Sequence, residues 1–182
     1  MLTITSYLNV ARQAARSSAL RASAPSRYGA GARAPVVVWN LTERCNQACA
    51  HCYASASHDC SPLELDTATS LRILDELAEA KVPAVIFSGG EPMLRKDLLQ
   101  LVQHATNVGV RPQLSSNGTL ANDAAMTVLK QAGIGYFGVS IDGPPDFNDT
   151  FRGMHRGYER AIRGLESGVR AGVKTGLRMT VT

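Results

Sequence analysis

The chain has 182 residues, 45% of them apolar and 19% charged, which suits a single domain with one respectable core. Its net charge of +4 is unevenly spread: residues 1–35 carry Arg12, Arg16, Arg21, Arg27 and Arg33 and no acid, so the rest is close to neutral. That body shows neither the basic face nor the motif of a nucleic-acid binder, and no apolar run approaches the roughly 18 residues of a membrane span.

The Ala/Ser/Arg-rich leader, residues 1–35, resembles a mitochondrial transit peptide in composition but lacks the apolar core of a secretory signal. The plainer reading is a flexible or loosely docked arm, with a short helix within Thr5–Ala24 and a linker from Pro25 to Pro35. Val36–Leu41 is β-branched, aromatic and mostly apolar, as a strand buried in a parallel sheet is. Directly after it come Cys45, Cys49 and Cys52, spaced CxxxCxxC.

Leu65–Ala80 repeats apolar residues at helical spacing, with Asp66 in its first turn. Val82–Phe87 reads as a second strand, Ser88-Gly89-Gly90-Glu91-Pro92 as a loop whose glycines allow close backbone approach, and Lys96–Asn107 as a helix. The unit recurs with strand Val110–Ser115, turn Ser116-Asn117-Gly118 and helix Asp123–Gln131, which ends at Gly133. Strand Tyr136–Ile141 is closed by Asp142-Gly143-Pro144-Pro145, helix His155–Ala171 follows, and Thr175–Val181 supplies a fifth strand.

Strands alternating with helices imply α/β architecture: a parallel sheet with right-handed crossovers, as a layer or a barrel. Ligand sites in such sheets lie at the carboxyl ends of the strands. The cysteines, the Gly-Gly-Glu-Pro loop, Ser115 to Asn117, and Ser140 with Asp142 all fall there.

Three thiolates at the cysteine spacing suit three irons of a 4Fe-4S cluster, leaving one iron open. The alternative is a non-catalytic zinc module completed by His51 or His58, since Cys3His is an ordinary zinc set. Cys60 lies outside the spacing and reads as a bystander. Cysteines in a chain with no export signal point to a reducing compartment, the cytoplasm.

With these loops in place, the chain resembles the radical S-adenosylmethionine (SAM) superfamily. Cys45-Asn46-Gln47-Ala48-Cys49-Ala50-His51-Cys52 is that family's cluster motif, and Gly89-Gly90-Glu91-Pro92 matches its methionine-amine motif. More narrowly, Val36 to Thr42, Phe87 to Leu94, Ser115 to Leu120 and Gly176 to Thr182 are similar to the NirJ proteins of haem d1 biosynthesis. SPASM-type peptide-maturing relatives share the same motifs. The resemblance implies a partial (βα)6 TIM-like barrel over residues 36–182, truncated after about five strands, without the family's sixth strand and C-terminal SPASM-like region.

The resemblance also implies a 4Fe-4S cluster on Cys45, Cys49 and Cys52, with SAM chelating the open iron and cleaved reductively to a 5'-deoxyadenosyl radical. For the NirJ proteins it implies didecarboxysiroheme as substrate, its propionate side chains being modified, and an electron donor such as flavodoxin or ferredoxin. Residues expected to bind the cofactor are His51, Tyr53, Gly89, Gly90, Glu91, Ser115, Asn117, Ser140, Asp142, Arg152 and Arg178. Ser116 joins Ser115 and Asn117 as a short hydrogen-bonding group suited to ribose hydroxyls or the methionyl carboxylate.

Each has a plainer reading beside it. His51 is as well explained by packing of its loop, Asp142 by a turn cap, Arg152 by a solvated surface and Arg178 by a buried ion pair. Asn148 replaces the histidine of the SPASM-type His-Asp-x-x-Arg segment, which leaves Arg152 as the segment's candidate.

Overall fold

The computed structural model describes residues 35–59 and 64–180. The expected leader helix, Cys60 and the end of the fifth strand beyond residue 180 lie outside them. The described residues form β1 (Val37–Thr42), α1 (Thr67–Glu79), β2 (Ala84–Gly89), α2 (Leu98–Asn107), β3 (Arg111–Ser116) and α3 (Asp123–Gln131). After these come β4 (Tyr136–Ser140), α4 (Pro145–Arg152), α5 (Gly157–Arg170) and β5 (Thr175–Arg178).

All neighbouring strands pair in parallel, in the order β1-β2-β3-β4-β5. Because strand order follows chain order, right-handed crossovers carry every helix to the same side of the sheet, and the sheet curls toward a barrel. The helix-facing side is apolar. Val85, Phe87, Leu114, Phe137 and Val139 are fully buried there against Leu74, Leu77, Leu101, Val102 and Met126.

The register defines the opposite, inner face. Val38, Ile86, Gln113 and Tyr136 form one row, and Ser115, Gly138 and Gly176 lie in a row nearer the carboxyl ends. Ser140 pairs with Arg178 at the end of the sheet. Unlike the helix-facing side, this face is largely polar, as the wall of a binding site is.

Helix boundaries fall where the caps dictate. Asp66 is the N-cap of α1 and accepts from Thr69 N at 2.7 Å, so it precedes the first turn instead of lying within it. Asn122 caps α3 in the same way. The main departure from the sequence reading is α4: Pro144-Pro145 starts a helix instead of closing a turn, with Pro145 at its N-terminal end and Gly153 in the left-handed conformation just past Arg152. A helix therefore stands beside the cysteine loop, and the loop leans on it.

Candidate active site

The cysteine loop is held from two sides. On one, Cys45 N donates to Ser57 O at 2.6 Å and Ser57 N to Glu43 O at 3.0 Å. On the other, Ala48 N donates to Arg152 O at 3.2 Å and Ala50 N to Phe151 O at 2.9 Å, so the loop satisfies carbonyls at the end of α4. Gly153 permits that approach, because a Cβ there would stand 2.7 Å from Ala48 O.

Beneath the loop, Gly89 and Gly90 do for β2 what Gly153 does for α4. Gly90 N donates to Thr42 O at 2.7 Å and Glu91 N to Arg44 O at 2.8 Å. A Cβ on Gly89 would run into the Thr42 carbonyl and one on Gly90 into the Arg44 carbonyl, and Gly89 sits at φ +120°. What the adjacent glycines let in is first of all the cysteine loop's own backbone.

Glu91 is fully buried and its carboxylate turns inward. It accepts from Met93 N at 3.0 Å, from Ser116 Oγ at 2.9 and 3.0 Å, and from Asn117 N at 2.8 Å. Burial pushes this carboxyl up from its ordinary value, and the bonds from Met93, Asn117 and Ser116 oppose that. The sequence reading turns Glu91 outward to a ligand amine; here its carboxylate ties the second loop to the third. Asn117 carries the tie onward, its Nδ2 donating to Asn46 Oδ1 at 2.8 Å and lying 4.0 Å from Cys45 Sγ.

The fourth loop brings charge. Arg152 Nη2 meets Asp142 Oδ2 at 2.6 Å, while Nη1 reaches Gln47 Oε1 at 3.4 Å and Cys49 Sγ at 4.0 Å. At 7% exposure Arg152 is no solvated surface arginine. The other Asp142 oxygen accepts from Thr180 N at 2.8 Å, and Asn148 Oδ1 accepts from Asp142 N at 3.1 Å. His51 lies 3.4 Å from Asp142 and stacks on Phe151 at 4.5 Å, with Phe147 stacked in turn on Phe151.

A cavity of about 110 Å³ opens between these loops. Cys45, Cys49, Cys52, His51, Tyr53, Gly89, Gly90, Ser115, Asn117, Ser140 and Arg152 line it, so most of the residues singled out in the sequence meet here. Glu91, Asp142 and Arg178 do not line it; the first two stand behind the wall, and Arg178 lies on the inner face against Tyr136. Gln47 and Ser88 also line the cavity. Tyr53 reaches over the rim to Ser88 Oγ at 3.0 Å and Asn40 Oδ1 at 3.2 Å. A larger groove of about 650 Å³ between α4 and α5 contains none of the cysteines.

Burial raises the Cys45 and Cys49 thiols, the neighbouring thiols adding to it and Arg152 opposing it at Cys49. Among the described residues, no three Cys, His, Asp or Glu side chains converge as a single metal ion requires. His58 is turned to Cys45 O at 3.0 Å, and His51 is stacked and facing Asp142. The three thiols line one cavity, and the donor set fits a 4Fe-4S cluster, which takes each thiolate on a separate iron.

Three cysteines on the first loop of a curled parallel sheet, facing a polar inner wall, define a class of protein built to hold an iron-sulfur cluster beside a small cofactor. The chain belongs to the Radical SAM superfamily, whose model matches residues 39–182. The cofactors of that superfamily are a 4Fe-4S cluster and SAM. It is 48% identical over 120 residues to the Fe-coproporphyrin III synthase of Methanosarcina barkeri, covering 66% of this chain and 30% of that protein. Its identity to the pre-heme d1 synthase of Dinoroseobacter shibae is 43% over 130 residues, covering 71% and 32%. Among solved structures, SAM-bound SuiB of Streptococcus suis shares the fold at a TM-score of 0.66 and 19% identity, over 78% of this chain and 32% of that one. The chain thus spans about a third of the length of the curated relatives it matches.

Proposed function

We propose that this chain is the cofactor-binding part of an enzyme that cleaves SAM reductively to a 5'-deoxyadenosyl radical and directs it at a tetrapyrrole. In its narrowest form, the substrate is didecarboxysiroheme and the target its propionate side chains, on the route to haem d1. The observation that carries this reading is the convergence of four loops on one cavity with all three cysteines on its wall. The tetrapyrrole part rests on the names of the two relatives.

Cys45, Cys49 and Cys52 would hold the cluster. When bound, the cluster supplies the electron that breaks a carbon-sulfur bond of the sulfonium. Ser115, Asn117, Ser140 and the backbone at Gly89 and Gly90 offer donors and acceptors for the amino-acid and ribose parts of SAM. His51 and Tyr53 offer rings at the rim. A flavodoxin or ferredoxin is the proposed electron donor.

Anaerobic reconstitution with iron and sulfide tests the reading. Iron-sulfur absorption, followed by 5'-deoxyadenosine and methionine on adding SAM and dithionite, is the expected result. Uptake of zinc with no such absorption and no SAM cleavage overturns it. Incubating the full-length protein with didecarboxysiroheme tests the narrower form, and unchanged tetrapyrrole beside cleaved SAM rules that form out.

A further inference from the structure

Arg178 is a half-buried cation on the inner face, and it takes part in no ion pair among the described residues. Buried arginines elsewhere are matched: Arg95 meets Asp97 at 2.6 Å and Arg152 meets Asp142 at 2.6 Å. Nothing acidic stands with Arg178 in the two rows above Tyr136, where it shares the face with Ser115, Gly138, Ser140 and Gly176.

The neighbours of Arg178 clear space for its head group. A Cβ on Gly138 would stand 2.6 Å from Arg178 Nε and 3.2 Å from Cζ, so the guanidinium lies on bare backbone. A Cβ on Gly176 would run into the Tyr136 hydroxyl. Arg178 Cζ lies 6.0 Å from the centre of the Tyr136 ring, which favours the cation. Two glycines paired across adjacent strands weaken a sheet, and here their bare backbone is what seats the Arg178 head group and the Tyr136 ring.

The position is also telling. Gly138 pairs with Ser115, which lines the cavity, and paired residues of adjacent strands stand roughly 5 Å apart. The guanidinium lies over Gly138, on the strand next to the one that carries Ser115 of the cavity wall.

We infer that Arg178, with Tyr136 and the floor of Gly138 and Gly176, forms a subsite for a carboxylate of the substrate beside the SAM cavity. This rests on the reading of that cavity as the SAM site. A planar guanidinium lying on bare backbone presents its N–H edge to a carboxylate, and two parallel bonds fix the carboxylate's orientation. A tetrapyrrole with propionate side chains has the chemistry this subsite takes.

The test titrates reconstituted holoprotein with iron coproporphyrin III and with its tetramethyl ester, which keeps the ring and removes the charge. Wild type, Arg178→Gln and Arg178→Lys are compared, with SAM binding measured in parallel. Arg178→Gln is expected to weaken the acid roughly tenfold or more, Arg178→Lys less, with the ester and SAM unaffected. Equal loss for acid and ester, loss of SAM binding, or no change overturns the subsite. Should wild type bind neither porphyrin, the tetrapyrrole reading fails, and glutarate decides the subsite. A glutarate-induced shift of the Arg178 Nε–H resonance, not produced by chloride at equal ionic strength, supports it, and no shift overturns it.

Discussion

Arg152 and Asp142 meet at 2.6 Å, and through this pair the segment just after β5, the helix α4 and the cysteine loop become one assembly. The pair is buried, so losing one partner strands the other as an uncompensated charge. Arg152 also brings positive charge within 4.0 Å of Cys49 Sγ. A donor or cation near a cluster sulfur favours the reduced, more negative state. In reconstituted protein, Arg152→Met is expected to lower the cluster's midpoint potential by on the order of tens of millivolts, since a tenfold change in a one-electron equilibrium is about 59 mV. Arg152→Lys should keep part of the shift. Redox titration followed by electron paramagnetic resonance measures it, and a Met variant with unchanged potential would show that the guanidinium acts on geometry alone.

Glu91 is expected to behave as a structural group. Its carboxylate accepts only, from Met93 N, Ser116 Oγ and Asn117 N. Glu91→Gln would turn an amide donor toward one of those donors, and Glu91→Ala would leave all of them buried and unpaired. A loss of about 1–3 kcal/mol is expected for Gln and more for Ala, by denaturant unfolding of the apoprotein. An unchanged midpoint for Glu91→Ala would contradict the inward geometry.

Gly89 and Gly90 should fail in a different way. A methyl group on either meets backbone of the first loop, at Thr42 or Arg44, and Gly89 adds a positive φ that side chains resist. The collision is with the segment leading into Cys45, so Gly90→Ala is expected to reduce iron and sulfide incorporation more than it reduces helix content. Iron analysis and circular dichroism on the same sample separate the two effects, and full incorporation would refute this seating role.

The sheet was legible from the sequence because β-branched and apolar runs recur between helices with clear apolar spacing, so all five strands and the helices over Thr67–Glu79, Leu98–Asn107, Asp123–Gln131 and Gly157–Arg170 follow from local pattern. The helix Pro145–Arg152 was not legible: Asn148, Asp149 and Thr150 are indifferent helix formers, and Pro144-Pro145 reads as a turn. The site was legible as a set of loops, since carboxyl ends of parallel strands meet in space whatever lies between them. The direction of each side chain was not. Glu91 looks like a ligand group in sequence, and its inward turn depends on Ser116, 25 residues away. Gln47, sitting between two cysteines, has no local signal, and its place on Arg152 depends on a contact spanning 105 residues.

Acid sensitivity is expected to arise in part at Asp97. Its carboxylate takes both a 2.8 Å bond from Arg95 Nε and a 2.6 Å contact from Nη2, and accepts from Thr67 Oγ1 at 2.8 Å, joining α1 to α2. Arg95 also donates to Leu41 O at 2.8 Å, so the pair anchors β1 just before the cysteine loop. The Arg95 bond holds the Asp97 pKa below the ordinary carboxylate value, with Thr67 contributing. A depressed acid binds fewer protons folded than unfolded, so its contribution is complete above the unfolded pKa and is lost as pH falls through the folded one. Wild-type apoprotein should therefore lose urea stability below about pH 4, with the Asp97→Asn midpoint lower at neutral pH and flatter through the acid range. Parallel curves for the two proteins from neutral pH to about pH 3 would assign the acid limb to other carboxylates.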